Sequence, residues 1–291
     1  MHYEGPIYRP PSEADSLLIQ ATVGCPHNRC TFCMVYKKEP RYRTRAVHAI
    51  KEDISAARDL YGPHVRTLFF PAGNAIAMKT EDFCEICRFA GQVFPGLERI
   101  TVYGSSQYIH QKGPEGLKRL TEAGLSRIHV GLESGDDVIL RRIKKGIDSR
   151  QQIEAGKWVM AAGMELSLYV ILGIGGKERS VFHAEETARV LNAIEPQFIR
   201  IRTFVPKINT PLLKQIQNGS FQMLGPHEVL RETETLIRNL TVSSFLTSDH
   251  YTNYINLEGR LPVDKTRLLE EIHTALARDE KTFRPFFIGT Q

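Results

Sequence analysis

Three cysteines stand within nine residues of one another in the stretch Gly24-Cys25-Pro26-His27-Asn28-Arg29-Cys30-Thr31-Phe32-Cys33. An apolar run, Ser16–Thr22, leads into them and reads as a strand. Thiolates packed that closely on a loop repel one another unless a cation neutralises them, so a metal centre is the chemistry this spacing suggests. Three inert thiols, buried or exposed, are the alternative. The odd number is informative. Structural zinc takes four protein ligands, and iron–sulfur clusters usually take four cysteines. Three cysteines would leave one iron open to a ligand from outside the protein. His27 lies in the same loop, where a solvated or loop-bonded imidazole is a simpler reading than a fourth ligand.

The elements that must position this loop follow from the hydrophobic pattern. Short apolar runs at Val65–Phe70, Arg99–Tyr103, Arg127–Leu132, Leu166–Leu172 and Phe198–Val205 read as further strands covered on both faces. Helical patterns alternate with them: Ala46–Leu60, Thr80–Gln92, Pro114–Ala123, Ser149–Ala162 and Val181–Ala193. Pro114 suits a first helical turn, and Gly124 and Gly163 sit where helices should end. Six such units predict an α/β fold, a partial (β/α)6 barrel spanning residues 1–205 with its N-terminal lead-in. Beyond residue 206 the rhythm changes. Lys207–Leu212 reads as a loop, Pro226–Asn239 and Asp264–Ala277 as helices, and the apolar tail Phe283–Ile288 as a packing segment. Residues 206–291 are expected to cap the barrel.

Composition narrows the function classes. The 291 residues are 42% hydrophobic and 24% charged, as in an ordinary soluble protein. No apolar run approaches the roughly 18 residues of a membrane span, and Met1–Pro6 lacks signal-peptide character. A cytoplasmic protein with no membrane partner is expected, and five cysteines there argue against a disulfide framework. A net charge of +5 is well short of a dedicated nucleic-acid binder.

In parallel barrels, chemistry collects at the C-terminal ends of the strands. That rule gathers the cysteine loop, Pro71-Ala72-Gly73-Asn74-Ala75, Gly131-Leu132-Glu133-Ser134-Gly135 and Gly173-Ile174-Gly175-Gly176 at one rim. Glycine after a strand is usually only a turn. The recurrence of these motifs after successive strands is the stronger signal.

C-x4-C-x2-C with an aromatic residue before its last cysteine resembles the cluster loop of the radical S-adenosylmethionine (radical SAM) enzymes, whose usual spacing is C-x3-C-x2-C. The chain departs by one residue between Cys25 and Cys30, which a bulge can absorb. The resemblance covers residues 9–205 and, more weakly, the segment beyond. It implies that Cys25, Cys30 and Cys33 hold a four-iron–four-sulfur (4Fe–4S) cluster whose fourth iron binds S-adenosylmethionine. Phe32 matches the aromatic residue near adenine. Ala72, Gly73 and Asn74 stand where the family has Gly-Gly-Glu against the methionyl amino group. Glu133 and Ser134 resemble the residues that bind the ribose and methionine portions, and Gly173, Gly175 and Gly176 the edge beside the adenosine. The phrase Gly131–Gly135, followed by Arg141-Arg-Ile-Lys-Lys-Gly146, is similar to the branch holding coproporphyrinogen oxidases, methylthiotransferases and the Elongator catalytic subunit. Such an enzyme implies a low-potential electron donor such as flavodoxin or ferredoxin. It would cleave S-adenosylmethionine to a 5′-deoxyadenosyl radical that abstracts hydrogen. No side chain is singled out as catalytic.

Other residues admit plainer roles. Arg200 and Arg202 share one face of their strand; one of them is expected to meet a carboxylate of S-adenosylmethionine, substrate or Glu133, the alternative being a structural ion pair. Tyr103, Ser105 and Ser106 are candidates to line the pocket, and His250, Asn253 and Asn256 to contact substrate, against local turn bonding. Lys37, Lys38, Arg41, Arg43 and Arg45 read first as a solvated basic face and second as a docking patch for an acidic donor or phosphorylated substrate. Cys84 and Cys87 share a helix face and suit packing. The rival to an enzyme is a non-catalytic metal protein, with structural zinc on Cys30, Cys33, Cys84 and Cys87 or an iron–sulfur centre. That zinc site needs distant cysteine pairs to converge and leaves Cys25 unused. A small-molecule substrate is preferred, with peptide or RNA modification as alternatives.

Overall fold

Alternation of apolar runs with amphipathic stretches sets the architecture. The computed structural model describes residues 1–37 and 40–290. The chain divides into two units, one of residues 1–28, 35–130 and 155–166, the other of residues 29–34, 131–154 and 167–291.

The first unit carries β1 (Leu17–Leu18), β2 (Thr22–Val23), β3 (Arg43–Thr44), α1 (Val47–Tyr61), β4 (Thr67–Phe70), α2 (Thr80–Val93), β5 (Arg99–Gly104), α3 (Ser106–Glu122) and the start of β6 (Leu125–Glu133). β1, β4, β5 and β6 are neighbours in that order and parallel, with Leu17 opposite Leu68, Thr67 opposite Arg99 and Val102 opposite Ile128. Consecutive residues Leu68, Phe69 and Phe70 are all buried, as a parallel strand covered on both faces requires. α1 buries Ile50, Ile54 and Ala57, and α2 buries Phe83, Ile86 and Ala90, at the spacing of one helical face. Each large apolar side chain so buried contributes about 1.5–3 kcal/mol.

The second unit holds the end of β6, α4 (Asp137–Arg142), most of β7 (Glu165–Leu172), α6 (Gly176–Ile194), β8 (Phe198–Thr203), α7 (Pro211–Gln217), α8 (Pro226–Asn239), β9 (Phe245–Thr247), β10 (Glu258–Arg260) and α9 (Lys265–Leu276). Helix α5 (Ser149–Ala161) divides between the units. β7 and β8 are parallel from Ser167 opposite Phe198 to Leu172 opposite Thr203; β9 adds in parallel to β8, and β10 returns antiparallel. The fold is α/β with a mostly parallel sheet.

Several boundaries differ from the sequence reading, each for a local reason. The run Ser16–Thr22 splits because β1 pairs with β4 while β2 turns to pair with β3. α3 begins at Ser106, not Pro114, since Gly113 (φ +69°) kinks the chain and Pro114 restarts the helix. The stretch read as a loop to Leu212 becomes helix at Pro211, where the Thr210 hydroxyl accepts the Leu213 N–H at 3.3 Å. β9 is three residues long, too short to show a period.

Candidate functional site

The cysteine loop is anchored by its own backbone. Asn28 takes a left-handed conformation (φ +42°), for which asparagine is one of the few suitable residues, and turns the chain between Cys25 and Cys30. The Thr31 N–H donates to the Ile143 carbonyl at 2.9 Å, and the Leu212 N–H donates to the Thr31 carbonyl at 3.1 Å. Phe32 packs against the apolar group of Ile139, Ile143, Ile174 and Phe204. Cys25, Cys30 and Cys33 are half-buried and stand outside any disulfide. Among the described residues, no three Cys, His, Asp or Glu side chains are drawn together as a finished ion cage.

The loop after β4 lies against the residue that precedes Cys25. A Cβ on Gly73 would collide with the Gly24 carbonyl, so only glycine allows this approach. Ala72 sits at φ +73°, a strained conformation for a residue with a Cβ. Asn74 is buried, and its Nδ2 donates to the Ser105 hydroxyl at 3.0 Å. Its Oδ1 is buried with no hydrogen-bond partner. Ser105, read as pocket lining, thus orients Asn74. Tyr103 packs edge-on against Phe69 with ring centroids 5.0 Å apart.

At the end of β6, Glu133 accepts from Lys145 Nζ at 2.7 Å, and both are nearly buried. Neither Arg200 nor Arg202 is its ion-pair partner. Glu133 sits at φ +63° and folds back over Gly131, where a Cβ would strike its carboxylate. Ser134 is fully buried. His183 donates from Nε2 to the Ile171 carbonyl (3.0 Å), which leaves Nδ1 to accept the Ser134 hydroxyl at 2.9 Å. The Asp136 N–H donates to that same hydroxyl oxygen at 3.0 Å. The Ser134 side chain is therefore engaged in holding the Gly131–Gly135 turn against α6.

The glycines after β7 meet a buried carboxylate. The Gly173 N–H donates to Glu232 at 2.6 Å, and His183 Nε2 lies 3.7 Å from the same oxygen. Burial pushes the Glu232 carboxyl up against the opposing effects of His183, Ser180 and Gly173. Gly175 and Gly176 face Ile139 and Phe221 at distances that leave no room for a Cβ.

On β8, Arg200 lies 4.0 Å from Asp249, and Arg202 stands over the Tyr169 ring at 5.3 Å. His250 is half-buried beside this strand end, with its pKa lowered to about 4 by burial and then by Arg202 and Lys207. Asn253 is fully engaged: Nδ2 donates to the Ile201 and Ser248 carbonyls, and Oδ1 accepts from Thr203. Asn256 is exposed.

Lys145, His183 and Glu232 were not anticipated as site residues. Lys145 belongs to the basic run after Glu133, which was its only signal; the other two emerge only when α6 and α8 pack. The basic face is partly neutralised, with Arg43 on Glu4 and Arg45 on Asp53, and Lys37 donates to the Asn28 carbonyl. Lys38 lies outside the described residues. Cys84 and Cys87 are buried on α2, and burial pushes both thiols up.

Residues 19–189 match the sequence model of the radical SAM superfamily, more than half of the chain. The chain belongs to that superfamily. Radical SAM enzymes use a 4Fe–4S cluster and S-adenosylmethionine as cofactors. The chain is 28% identical over 165 residues to the tRNA-2-methylthio-N(6)-dimethylallyladenosine synthase of Desulfosudis oleivorans, covering 55% of this chain and 34% of that protein. It is 23% identical over 229 residues to the threonylcarbamoyladenosine tRNA methylthiotransferase of Rickettsia prowazekii, covering 76% of this chain and 51% of the relative. The chain thus spans at most about half of these relatives. Among solved structures it shares its fold with the radical SAM coproporphyrinogen III oxidase of Escherichia coli, at a TM-score of 0.61 and 15% identity over 92% of this chain and 60% of that one. The cobalamin-dependent radical enzyme OxsB gives a TM-score of 0.62 at 16% identity, over 77% and 41% of the two chains.

The residues present suit the family's cofactors. Three half-buried thiols on one loop would suit a cluster with an open iron. The unpartnered Asn74 Oδ1 is a buried acceptor that an ammonium group would satisfy. Among the described residues, no helix is long and apolar enough to cross a membrane.

Proposed function

We propose that this radical SAM enzyme abstracts a hydrogen atom from an organic substrate, with Cys25, Cys30 and Cys33 as the cluster ligands and Asn74 as the residue that receives the methionyl amino group. A cluster held by those cysteines and reduced by a low-potential donor of the flavodoxin or ferredoxin kind would supply the electron that splits S-adenosylmethionine into methionine and the 5′-deoxyadenosyl radical. The chain's own residues position the parts. Gly73 lets the loop after β4 lie against Gly24, Ser105 fixes the Asn74 amide, and Glu133 offers its carboxylate beside Lys145. The observation that carries the reading is the buried, unpartnered Asn74 Oδ1 on the loop packed against the residue before Cys25.

The relatives' names concern modified adenosines in tRNA and give no support to a small-molecule substrate. RNA modification is therefore the second reading. A tRNA pool that raises 5′-deoxyadenosine output above the substrate-free rate would favour it.

The test of the activity needs no substrate. Reconstituted anaerobically and given S-adenosylmethionine and a strong reductant, the protein should slowly release 5′-deoxyadenosine and methionine. Replacing Cys25, Cys30 or Cys33 by Ala should abolish the iron–sulfur absorbance, while the Cys84→Ala/Cys87→Ala double variant retains it. An iron-loaded protein whose spectrum ignores S-adenosylmethionine would refute the proposal.

A further inference from the structure

β8 ends in a group of hydrogen-bond donors that the cofactor contacts do not use. Arg200 and Arg202 alternate onto one face of the strand, and the register sets Arg200 between Tyr169 of β7 and Thr247 of β9. The Arg200 side chain is 12% exposed; its Nη1 is 4.0 Å from Asp249, and its Nε is buried without a partner. Among the described residues, Arg202 has the Tyr169 ring beneath it and no paired carboxylate. His250 faces the same end. Its Nδ1 lies 2.7 Å from the Thr252 hydroxyl and accepts the Thr252 N–H at 3.3 Å, which places the proton of the neutral ring on Nε2. Burial, Arg202 and Lys207 all keep that ring neutral, so it presents a donor with no charge of its own. Asn253 ties this segment to β8 through the Ile201 carbonyl and Thr203. Two guanidiniums, Arg200 and Arg202, thus stand on this face, and among the described residues Asp249 is the carboxylate paired with them, through Arg200.

Donors that converge in this way call for a ligand that brings acceptors and negative charge, and a guanidinium fork matches the planar edge of a carboxylate or phosphate. We infer that the C-terminal end of β8 is an oxyanion site, built by Arg200, Arg202 and His250, that seats a carboxylate or phosphate group of the substrate. The link to substrate rests on the radical SAM reading; the anion site itself does not. On this assignment Arg202 serves the substrate rather than S-adenosylmethionine.

The experiment is a titration of the reconstituted protein, without S-adenosylmethionine, with sodium phosphate and separately with sodium succinate at constant ionic strength. The His250 ring is followed by proton–carbon NMR of histidine-labelled protein, its signal assigned by loss in His250→Gln. One anion should shift the signal saturably, and the one that does names the group. Arg202→Gln should weaken that binding at least tenfold while S-adenosylmethionine still perturbs the cluster spectrum as in the parent. Should Arg202→Gln fold poorly, His250→Ala gives a second test by calorimetry: it should lose anion affinity that His250→Gln, which keeps a donor near the Nε2 position, largely restores. No shift with either anion would overturn the site. So would an Arg202→Gln protein that loses S-adenosylmethionine binding but keeps the anion. Failure of the radical SAM reading would look different, with S-adenosylmethionine silent in the parent and the anion titration intact.

Discussion

Two buried glutamates, one in each unit, are built differently. Glu13, on the turn before β1, is wholly buried and accepts from Ser16 at 2.7 Å and His129 Nε2 at 3.1 Å, with Arg99 at 3.3 Å and Arg127 at 3.5 Å. Glu133, at the C-terminal end of β6, has one charged partner among the described residues, Lys145, and sits on strained backbone. A carboxylate offers about four acceptor positions. Around Glu13 they are filled by side chains of β5, β6 and the lead-in, which makes it a clasp. Glu133 keeps capacity for a ligand. Strained backbone with unused acceptor capacity is characteristic of sites, and saturation is characteristic of structure.

The largest effect should come from breaking the clasp. Glu13→Ala leaves His129, Arg99 and Arg127 facing a vacated buried position, and such losses cost about 3–5 kcal/mol. Chemical denaturation should show that loss, while the protein that remains folded binds iron and S-adenosylmethionine normally. Lost cofactor binding at unchanged stability would erase the distinction between the two glutamates. The same clasp sets an acid limit. Burial opposes ionisation of Glu13, yet His129, Ser16 and Arg99 together hold its pKa down to about 2, against an ordinary 4.5. Its stabilisation is therefore complete above about pH 4.5 and drains away as pH falls towards 2. Glu13→Gln should flatten the stability profile across that window, and a profile as steep as the parent's would show that other carboxylates govern it.

A smaller and different effect is expected at Glu133. Glu133→Gln keeps the shape and the strained turn but removes the charge that faces Lys145. Loss of one charge-assisted hydrogen bond to the cofactor, about 1.5–3 kcal/mol, corresponds to roughly 10- to 150-fold weaker S-adenosylmethionine binding. Cluster content should stay at the parent level. Equilibrium dialysis giving parent-like affinity would make Glu133 a purely structural partner of Lys145.

The contrast also marks how far the sequence could be read. The parallel strands, the helices between them and the cysteine loop were legible because burial on both faces writes continuous apolar runs and because thiol spacing is local. Pro226–Asn239 was located to the residue, since Pro226 opens the helix and its polar and apolar positions alternate cleanly. What could not be read depends on partners distant in the chain. Glu13 and His129 are 116 residues apart, and neither carries a local mark of burial. Ser134 was read as a cofactor contact because its turn resembles one, yet its hydroxyl is occupied by His183 from α6. Asn253 looked available for substrate until its amide was seen to close three bonds around β8 and its own loop.

The smallest effect tests whether a neutral hydrogen bond can matter to cofactor binding as a salt bridge does. Asn74 Nδ2 donates to Ser105, and that bond decides which way the amide faces. With Ser105→Ala the amide loses this orienting partner, and Oδ1 is no longer held as the group left to receive an ammonium. A neutral hydrogen bond contributes about 0.5–1.5 kcal/mol, or roughly 2- to 12-fold in S-adenosylmethionine affinity. Ser105→Thr, which keeps the hydroxyl, should recover most of it. The loss should appear in affinity and not in iron content, because the bond Ser105 makes is to Asn74 and not to a cysteine. If Ser105→Ala binds S-adenosylmethionine as tightly as the parent, the Asn74 amide is oriented by its burial alone. If Asn74→Ala does so as well, the methionyl amino group is held elsewhere and the role given to this loop is wrong.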